Sequence, residues 1–300
     1  MILCSGTAMI DCIMTKMGTE AVADDIGIFP GGEAFNEAVI LARLGEEVLF
    51  SAPIGQDTAG QALMGILEKE HVSLAENDYT GRTPVSLLVT DETGNRKSRV
   101  SKIHQLAGYE AAVPENMAIS YATMASLFRP PFLNPADCLT YAKKVKAAGG
   151  VILADTKMPK GTDPKLEDYA KTLALLDFIT PNETEAAYYT GKSNPEEAAE
   201  VFKSYGVKNV IIKHSDRGAY CLDENGEGFW TPSYKVTCLD GIGAGDNFNA
   251  GLLHALHTGA TLKEALRFAT ACGALCVMER GAIDGVRSAE QVEQFLKERA

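Results

Sequence analysis

The sequence contains no uninterrupted apolar run approaching about 18 residues, so we expect no membrane-spanning helix. No basic segment followed by an apolar core opens the chain, and we expect a cytoplasmic protein. Positive charge is scarce, because 28 Lys and Arg face 40 Asp and Glu, which gives a formal net charge of −12. This balance argues against a nucleic-acid partner and against anionic membranes, although a local anion site remains compatible with it.

Paired cysteine spacing is absent as well. The seven cysteines are an odd number in a chain of 300 residues, which is typical of reduced thiols and not of a disulfide framework. Cys272 and Cys276 are four residues apart in a helical run, where small buried side chains are a simpler interpretation than metal ligands. His254 and His257 lack a third ligand nearby, so we expect no metal site built on these side chains.

From residue 121 onward, strand patterns and helix patterns alternate. Strands are predicted at 121–127, 151–154, 178–180 and 207–213, and helices at 135–148, 165–176, 183–189 and 195–205. This alternation is typical of βαβ units that form a parallel sheet with helices on both faces. Ligands in such folds bind beyond the carboxyl ends of the strands. Four polar residues are predicted to lie at these ends: Asp155, Asn182, Lys213 and Asp240.

The stretch from Asp240 to Gly251 reads DGIGAGDNFNAG and follows a strand-like run at 234–239. Its alternate glycines allow close approach of a ligand, and a predicted helix begins near Ala244. The first N–H groups of that helix lack internal partners and lie at the positive end of its dipole, so an anion, most naturally phosphate, is expected there. Asp246 lies in the first turn, where the helix dipole is expected to favour its charged form.

Two common phosphate motifs do not fit this stretch. A Rossmann fingerprint requires glycine at position 246, and a P-loop requires Gly-Lys followed by Ser or Thr. A glycine-rich turn with Asp246 as an ordinary N-terminal helix residue remains possible from the pattern alone, beside an anion site with a built-in base.

The stretch DGIGAGDNFNAG resembles the second signature of the ribokinase-like (PfkB) carbohydrate kinases, which is roughly D-T-x-G-A-G-D-x-F. The stretch PGGEAFNEAVILARLG at 30–45 resembles the first signature of the same family, and the two occur in the family's order. The resemblance implies an α/β fold: a three-layer αβα sandwich with a central, mostly parallel sheet and a small β-sheet lid. One kinase domain is then expected over residues 1–300, with the lid formed by about 11–30 and 83–104.

The resemblance also implies an activity, namely ATP-dependent phosphorylation of a primary hydroxyl of a sugar or sugar derivative, with magnesium. It assigns the base that takes the hydroxyl proton to Asp246, and the backbone anion hole to Gly243, Ala244 and Gly245. It assigns the sugar site to four residues near the N-terminus: Asp11, Gly31, Gly32 and Asn36.

The same resemblance predicts the residues that contact the nucleotide and its metal ion. Asn182 and Glu185 match the family's N-x-x-E, which implies Mg²⁺ near Glu185 through water, although a plain helix-capping pattern fits this spacing equally well. The resemblance assigns nucleotide contacts to Asn182, Lys213, Ser215, Gly218 and Gly245. At Lys213 the chain departs from the family's usual Thr-x-Gly-x-x-Gly, and at Gly241 from its usual Thr. Asp240 and the Ile242 carbonyl are candidates for a monovalent cation such as K⁺.

The predicted lid contains a hairpin signal, because alternating β patterns at 83–90 and 96–103 flank a turn at 91–95. The basic cluster on this hairpin is either a solvated surface, or one member, Arg99, contacts an acidic or phosphorylated sugar. The apolar lid strands would leave faces exposed in a single chain, so we expect a homodimer through the lid.

Two other functions remain open. A nucleoside kinase on the same scaffold would stack the base on an aromatic side chain, for which Phe35 is the obvious candidate. A sugar-binding regulator with vestigial catalysis is the alternative from a different class. The departures at Lys213 and Gly241 favour it, and the intact Asp246 speaks against it.

Overall fold

A computed structural model describes residues 1–17, 25–76, 78–91, 96–101, 106, 109–115 and 117–299. Within these ranges the chain forms a large sheet of nine strands. In chain order they are β1 (Ile2–Ser5), β4 (Val48–Ser51), β5 (Ser73–Leu74), β8 (Tyr121–Leu127), β9 (Val151–Thr156), β10 (Phe178–Ile179), β11 (Asn209–His214), β12 (Gly218–Leu222) and β13 (Gly228–Thr231). Across the sheet they follow the order β13-β12-β11-β10-β9-β8-β1-β4-β5. The strands from β11 to β5 are parallel, and β12 and β13 extend the sheet antiparallel.

Helices cover both faces of this sheet. They are α1 (Glu33–Arg43), α2 (Thr58–Lys69), α3 (Pro135–Ala147), α4 (Ala170–Leu173), α5 (Glu183–Thr190), α6 (Pro195–Ser204), α7 (Ala244–His257), α8 (Leu262–Val277) and α9 (Ala289–Lys297). In the part of the chain that the structure describes, none of them combines the length and the apolar character needed to cross a bilayer.

The side chains of β1 show how the layers form. Ile2 and Cys4 belong to one buried apolar cluster with α1, α2, α7, α8 and α9, whereas Leu3 belongs to a second cluster with α3, α4, α5 and α6. Because side chains alternate along a strand, each face of the sheet receives its own set of helices. The predicted mostly parallel sheet between two helical layers is confirmed.

A separate small sheet consists of β2 (Met9–Met17), β3 (Asp25–Gly31), β6 (Val85–Asp91) and β7 (Arg96–Val100). Its strand order is β3-β2-β6-β7. The β6–β7 pair is antiparallel, as the hairpin pattern predicts, but residues 92–95 of its turn and 102–104 of the predicted lid lie outside the described residues. The smaller sheet expected from the sequence is confirmed.

Two element predictions are wrong. Residues 234–239 form no strand, because the chain there is irregular and its apolar side chains Tyr234 and Val236 pack on the α8–α9 side of the core. The predicted helix at 165–176 is a 3₁₀ turn (Leu166–Tyr169) followed by the single turn α4. Leu166 and Tyr169 are both buried, and their spacing of three suits the 3₁₀ turn.

The start of α1 depends on Gly32. Its φ is +97°, and a Cβ at this position would lie 2.6 Å from the Thr7 carbonyl oxygen. The Phe35 N–H donates to the same carbonyl at 3.2 Å, which holds the helix start against the end of β1. Gly45 after α1 has a similar φ of +94°, but a Cβ there meets nothing within 4 Å.

These two glycines give a matched pair for a stability measurement. Gly45→Ala should cost about 1 kcal/mol, because a side chain at positive φ is strained. Gly32→Ala should cost at least about 1 kcal/mol more, because its Cβ also collides with backbone atoms. Urea unfolding of both variants checks the difference, and equal midpoints would show that the close approach at Gly32 relaxes without cost.

Candidate active site

A cleft of about 1030 Å³ lies where the carboxyl ends of β8, β9 and β11 meet the N-terminus of α7 and the inner face of the small sheet. It brings together most residues that the sequence suggested: Asp11, Gly32, Asn36, Asn182, Glu185, Lys213, Ser215, Gly218, Ile242, Gly243, Ala244, Gly245 and Asp246. Gly31, Arg99 and Asp240 are not part of its lining.

The N-terminus of α7 opens into this cleft. Gly243 precedes the helix in the left-handed conformation, with φ +77°, and no side chain caps the first turn. A Cβ on Gly245 would lie 3.1 Å from Lys213 Nζ, so an ammonium group lies beside these uncapped N–H groups. A helix N-terminus with an adjacent cation is suited to bind a phosphate group.

Asp240 belongs to the turn that leads into this helix. It does not follow a strand as predicted, since residues 234–239 form none. Its carboxylate accepts the N–H of Ile242 at 3.1 Å and the N–H of Gly281 at 3.3 Å. Asp240 therefore fixes the backbone of the glycine-rich turn.

Asp246 is buried at the start of α7. Asn36 Nδ2 donates a hydrogen bond of 2.7 Å to its Oδ2, and Lys157 Nζ lies 3.7 Å from its Oδ1. Burial raises the pKa of Asp246 to about 6, against the effect of Lys157, while Glu33 raises it further. Desolvation of the carboxylate therefore outweighs the charges that favour its ionised form. Asp246 is thus mostly ionised at neutral pH and a stronger base than an exposed Asp.

Lys157 is the main residue that sequence reasoning missed. It follows β9 directly, and its Nζ lies 2.9 Å from Asp155 Oδ2 and 3.8 Å from Glu33 Oε1, besides the contact with Asp246. Burial alone would lower its pKa, but these carboxylates raise it well above the ordinary value. The available signal was its position two residues after Asp155 at a strand end.

A second ion pair lies on the side of the cleft where the sequence predicts the nucleotide, and in it Lys213 Nζ contacts Asp155 Oδ1 at 2.7 Å. Next to it, Asn182 and Glu185 form the capping box of α5, so the plain capping interpretation of this motif holds. Glu185 Oε2 also accepts from Thr156 Oγ1 at 2.9 Å and still lines the cleft. Burial and then Asp155 raise the pKa of Glu185.

Asp11 lines the side of the cleft where the sequence predicts the sugar. Burial raises the pKa of Asp11 to about 6, against a hydrogen bond from Ser86. The Asp11 carboxylate occupies the space next to Gly31 that a Cβ there would need, which explains a glycine at this position. Asn36 Oδ1 has no hydrogen-bond partner within the described residues and lies beside Asp246.

Comparison with known proteins identifies the chain. Residues 1–289 match the family model described as pfkB family carbohydrate kinase. The chain belongs to this family. The fold class and the enzyme class predicted from the sequence, an ATP-dependent carbohydrate kinase, are therefore confirmed.

Individual relatives of this pfkB family kinase fall within sugar and nucleoside kinases. A ribokinase from Haemophilus influenzae is 27% identical, with 94% of this chain and 92% of the relative covered. The structure of aminoimidazole riboside kinase from Salmonella enterica with its riboside and an ATP analogue has a TM-score of 0.80 at 25% identity, covering 98% and 99% of the two chains. A candidate ribokinase II from E. coli, solved with ATP and Mg²⁺, has a TM-score of 0.82 at 25% identity and 99% coverage of both chains.

Two side chains that the sequence singled out are not part of the cleft lining. Arg99 pairs across the small sheet with Leu87, which is exposed, whereas the neighbouring Val100 lines the cleft. Because side chains alternate, the Arg99 side chain leaves β7 on the outer face, and its contact with an acidic or phosphorylated sugar stays a prediction. Phe35 is fully buried and meets Phe50 edge-on, so the prediction that it stacks on a nucleoside base is wrong.

The charge contact between Lys157 and Asp246 predicts a shift in the pH profile. Lys157→Met removes the cation that favours the Asp246 carboxylate, so the acid limb of kcat/KM should move upward from about pH 6 by at least about one unit. Lys235→Met removes another cation that lines the cleft; it is the control and should leave the position of this limb unchanged. An unshifted limb in Lys157→Met would show that Asp246 does not titrate under the influence of this lysine.

Proposed function

We propose that this kinase transfers the γ-phosphoryl group of ATP to a primary hydroxyl of a sugar or sugar derivative, with Asp246 as the base. The observation that carries the proposal is the position of Asp246. Its buried carboxylate is oriented by Asn36 at the uncapped N-terminus of α7, with Lys213 beside the same turn. A base and an anion site thus lie in one turn of helix.

The residues on the acceptor side suit sugar hydroxyls. Asp11 is an acceptor with a raised pKa, and Asn36 Oδ1 is an acceptor beside the base. Asp246 takes the hydroxyl proton as the acceptor oxygen forms its bond to phosphorus. The bond from phosphorus to the β–γ bridging oxygen breaks, and ADP leaves with that electron pair. The backbone N–H groups of Ala244, Gly245 and Asp246 hold the oxygens of the transferring group.

The nucleotide side suits ATP with a divalent cation. The phosphates would lie against Lys213 and the α7 N-terminus, near Asn182, Ser215 and Gly218. Burial and Asp155 raise the pKa of Glu185, and a nearby cation would stabilise its ionised form. The residues present therefore fit Mg²⁺ held through water. When bound, Mg²⁺ would neutralise phosphate charge.

The monovalent cation stays a prediction. Asp240 Oδ1 and the Ile242 carbonyl oxygen lie in the turn before α7, and oxygens of this type are ligands for K⁺. Both oxygens already accept hydrogen bonds, from Ile242 N and from Cys276 Sγ. Dependence of turnover on K⁺ at constant ionic strength would support this site.

A nucleoside acceptor is the second candidate, because one relative is an aminoimidazole riboside kinase. The burial of Phe35 removes the aromatic side chain that the sequence offered for stacking, and this favours a sugar. A sugar-binding regulator without turnover is disfavoured by the placement of Asp246 and its partners.

Asp246→Asn tests the base. Asn keeps the shape of the side chain but takes no proton, so kcat should fall by at least about 10²-fold. Nucleotide binding should persist. The melting temperature at pH 7 should not fall through loss of the charge, because the raised pKa means that ionised Asp246 weakens the folded state above about pH 6. ATP turnover across a panel of sugars measures the effect, and a near wild-type rate would reduce Asp246 to an ordinary helix residue.

We also propose that two copies associate through the outer face of the small sheet. Its inner face carries Asp11 and Ser86 of the cleft, whereas Ile26, Ile28 and Leu87 are exposed on the outer face. Ile28 and Leu87 both pair with Cys12, so they form one continuous apolar patch across three strands. Contiguous exposed apolar side chains of this kind are typical of protein interfaces.

Ile28→Lys tests this association. Ile28 is 72% exposed, and a lysine there should turn a dimer into a monomer, because it places charge in the centre of the apolar patch. Leu239→Lys is the matched control, since Leu239 is 62% exposed but lies outside the small sheet. Sedimentation at micromolar concentration measures the state. A wild-type monomer would contradict the proposal.

A further inference from the structure

The hydrogen bond that orients the base has a companion between the same two helices. Asn36 Nδ2 of α1 donates to Asp246 Oδ2 of α7 at 2.7 Å. In the companion bond, Asn249 Nδ2 of α7 donates to Glu37 Oε1 of α1 at 3.1 Å. Glu37 directly follows Asn36, and Asn249 lies three residues after the base on the same face of α7. The two bonds therefore cross one helix–helix contact in opposite directions.

The companion bond is buried among apolar side chains. Glu37 and Asn249 are both 0% exposed, and the residues that follow them, Ala38 and Ala250, belong to the buried apolar cluster on this face of the sheet. Glu37 Oε2 and Asn249 Oδ1 have no hydrogen-bond partner within the described residues. Burying such atoms costs free energy, whereas two apolar side chains of similar shape in their place would be neutral or favourable. Stability therefore does not account for this pair.

A buried polar pair can fix the alignment of two helices. Apolar contacts are non-directional, whereas a buried hydrogen bond selects one alignment at a cost in stability, as a buried Asn does in coiled coils. The alignment that Glu37 and Asn249 select is the one that places Asp246 against Asn36.

We propose that Glu37 and Asn249 are positioning residues, which hold the start of α7 against α1 so that the base keeps its orientation at the anion site. Neither residue lines the cleft, so both act through Asp246 and not on a substrate. The proposal rests on the kinase function above and extends its mechanism to a second pair of residues.

The protonation state of Glu37 agrees with this role. Ionisable or hydrogen-bonding groups of several elements act on its carboxyl group: Asp246 and Asn249 of α7, Thr123 of β8, Asp155 of β9, Cys4 of β1 and Tyr141 of α3. Burial, followed by the charges of Asp246 and Asp155, raises the pKa of Glu37 to about 8. The buried Cys4 thiol and Tyr141 phenol also have raised pKa values and are neutral. Ionisation of Glu37 at higher pH would place a second negative charge behind the base, where the phosphate is expected.

A double variant separates positioning from stability. In Glu37→Met/Asn249→Leu both polar partners become apolar, so the midpoint of urea unfolding should stay or rise. Its kcat should nevertheless fall by at least about 10-fold, because the base loses its alignment, while KM for ATP changes less than about threefold. Leu253→Ala is the matched control on α7: it leaves a cavity in the same cluster, so the midpoint should fall while kcat of the folded protein persists. Turnover is measured with ATP and Mg²⁺ on ribose, fructose, gluconate and adenosine.

The variant Glu37→Gln is independent of the double variant. Gln keeps an oxygen that accepts from Asn249 but cannot ionise, so kcat at pH 7 should be rescued to within about threefold of the wild type. The wild type should lose kcat/KM above about pH 8, and Glu37→Gln should not. The raised pKa of Glu37 also means that the folded wild type loses stability as pH rises toward about 8, a loss that Gln removes.

The outcomes distinguish this inference from the kinase proposal. If Asp246→Asn loses turnover but the double variant keeps its kcat, or Glu37→Gln loses as much as the double variant, the base assignment stands and the positioning pair is wrong. An alkaline limb that is unchanged in Glu37→Gln would also overturn the inference. If the wild type phosphorylates none of the four acceptors, or Asp246→Asn keeps its turnover, the kinase proposal fails and the inference fails with it.

Discussion

Two lysine ammonium groups hold together the buried carboxylates at the carboxyl edge of the large sheet. Lys157 contacts Asp155, Asp246 and Glu33, and Lys213 contacts the other oxygen of Asp155. Buried charges are tolerated only when they are paired, so the active cleft depends on these contacts. They leave Asp246 with a pKa of about 6, between that of an exposed and that of an unpaired buried carboxyl.

Glu37 is a buried carboxyl group in the same region that no lysine of the described residues contacts. It is fully buried behind Asp246, it accepts from Asn249 Nδ2 at 3.1 Å, and burial together with Asp246 and Asp155 raises its pKa to about 8. With no lysine against it among the ion pairs of the described residues, Glu37 remains mostly protonated at neutral pH. Asp155 and Asp246, which lie next to a lysine, are thus mostly ionised, whereas Glu37, which has no such contact among the described ion pairs, is mostly protonated.

The topology places these groups together. Parallel strands bring Asp155, Lys157 and Lys213 to one edge of the sheet, and α7 directs its N-terminus at the same edge. Asn36, which orients Asp246, comes from α1, 210 residues away along the chain. The start of α1 is fixed in turn by Gly32 against the end of β1, so tertiary structure brings Asp246 and its hydrogen-bond donor together.

Local periodicity and composition were enough to place most strands and helices and to find Gly243 to Asp246 at the start of α7, because glycine conformation and helix ends are local properties. The sequence alone therefore determined the family, the fold class and the position of Asp246 at the start of a helix. It misplaced residues 234–239, since their alternating apolar side chains pack on helices and not in a sheet. Tertiary structure alone decided the contacts of Lys157, the orientation of Arg99, the burial of Phe35 and the raised pKa of Asp246. Burial and charge contacts join segments that no local sequence pattern relates.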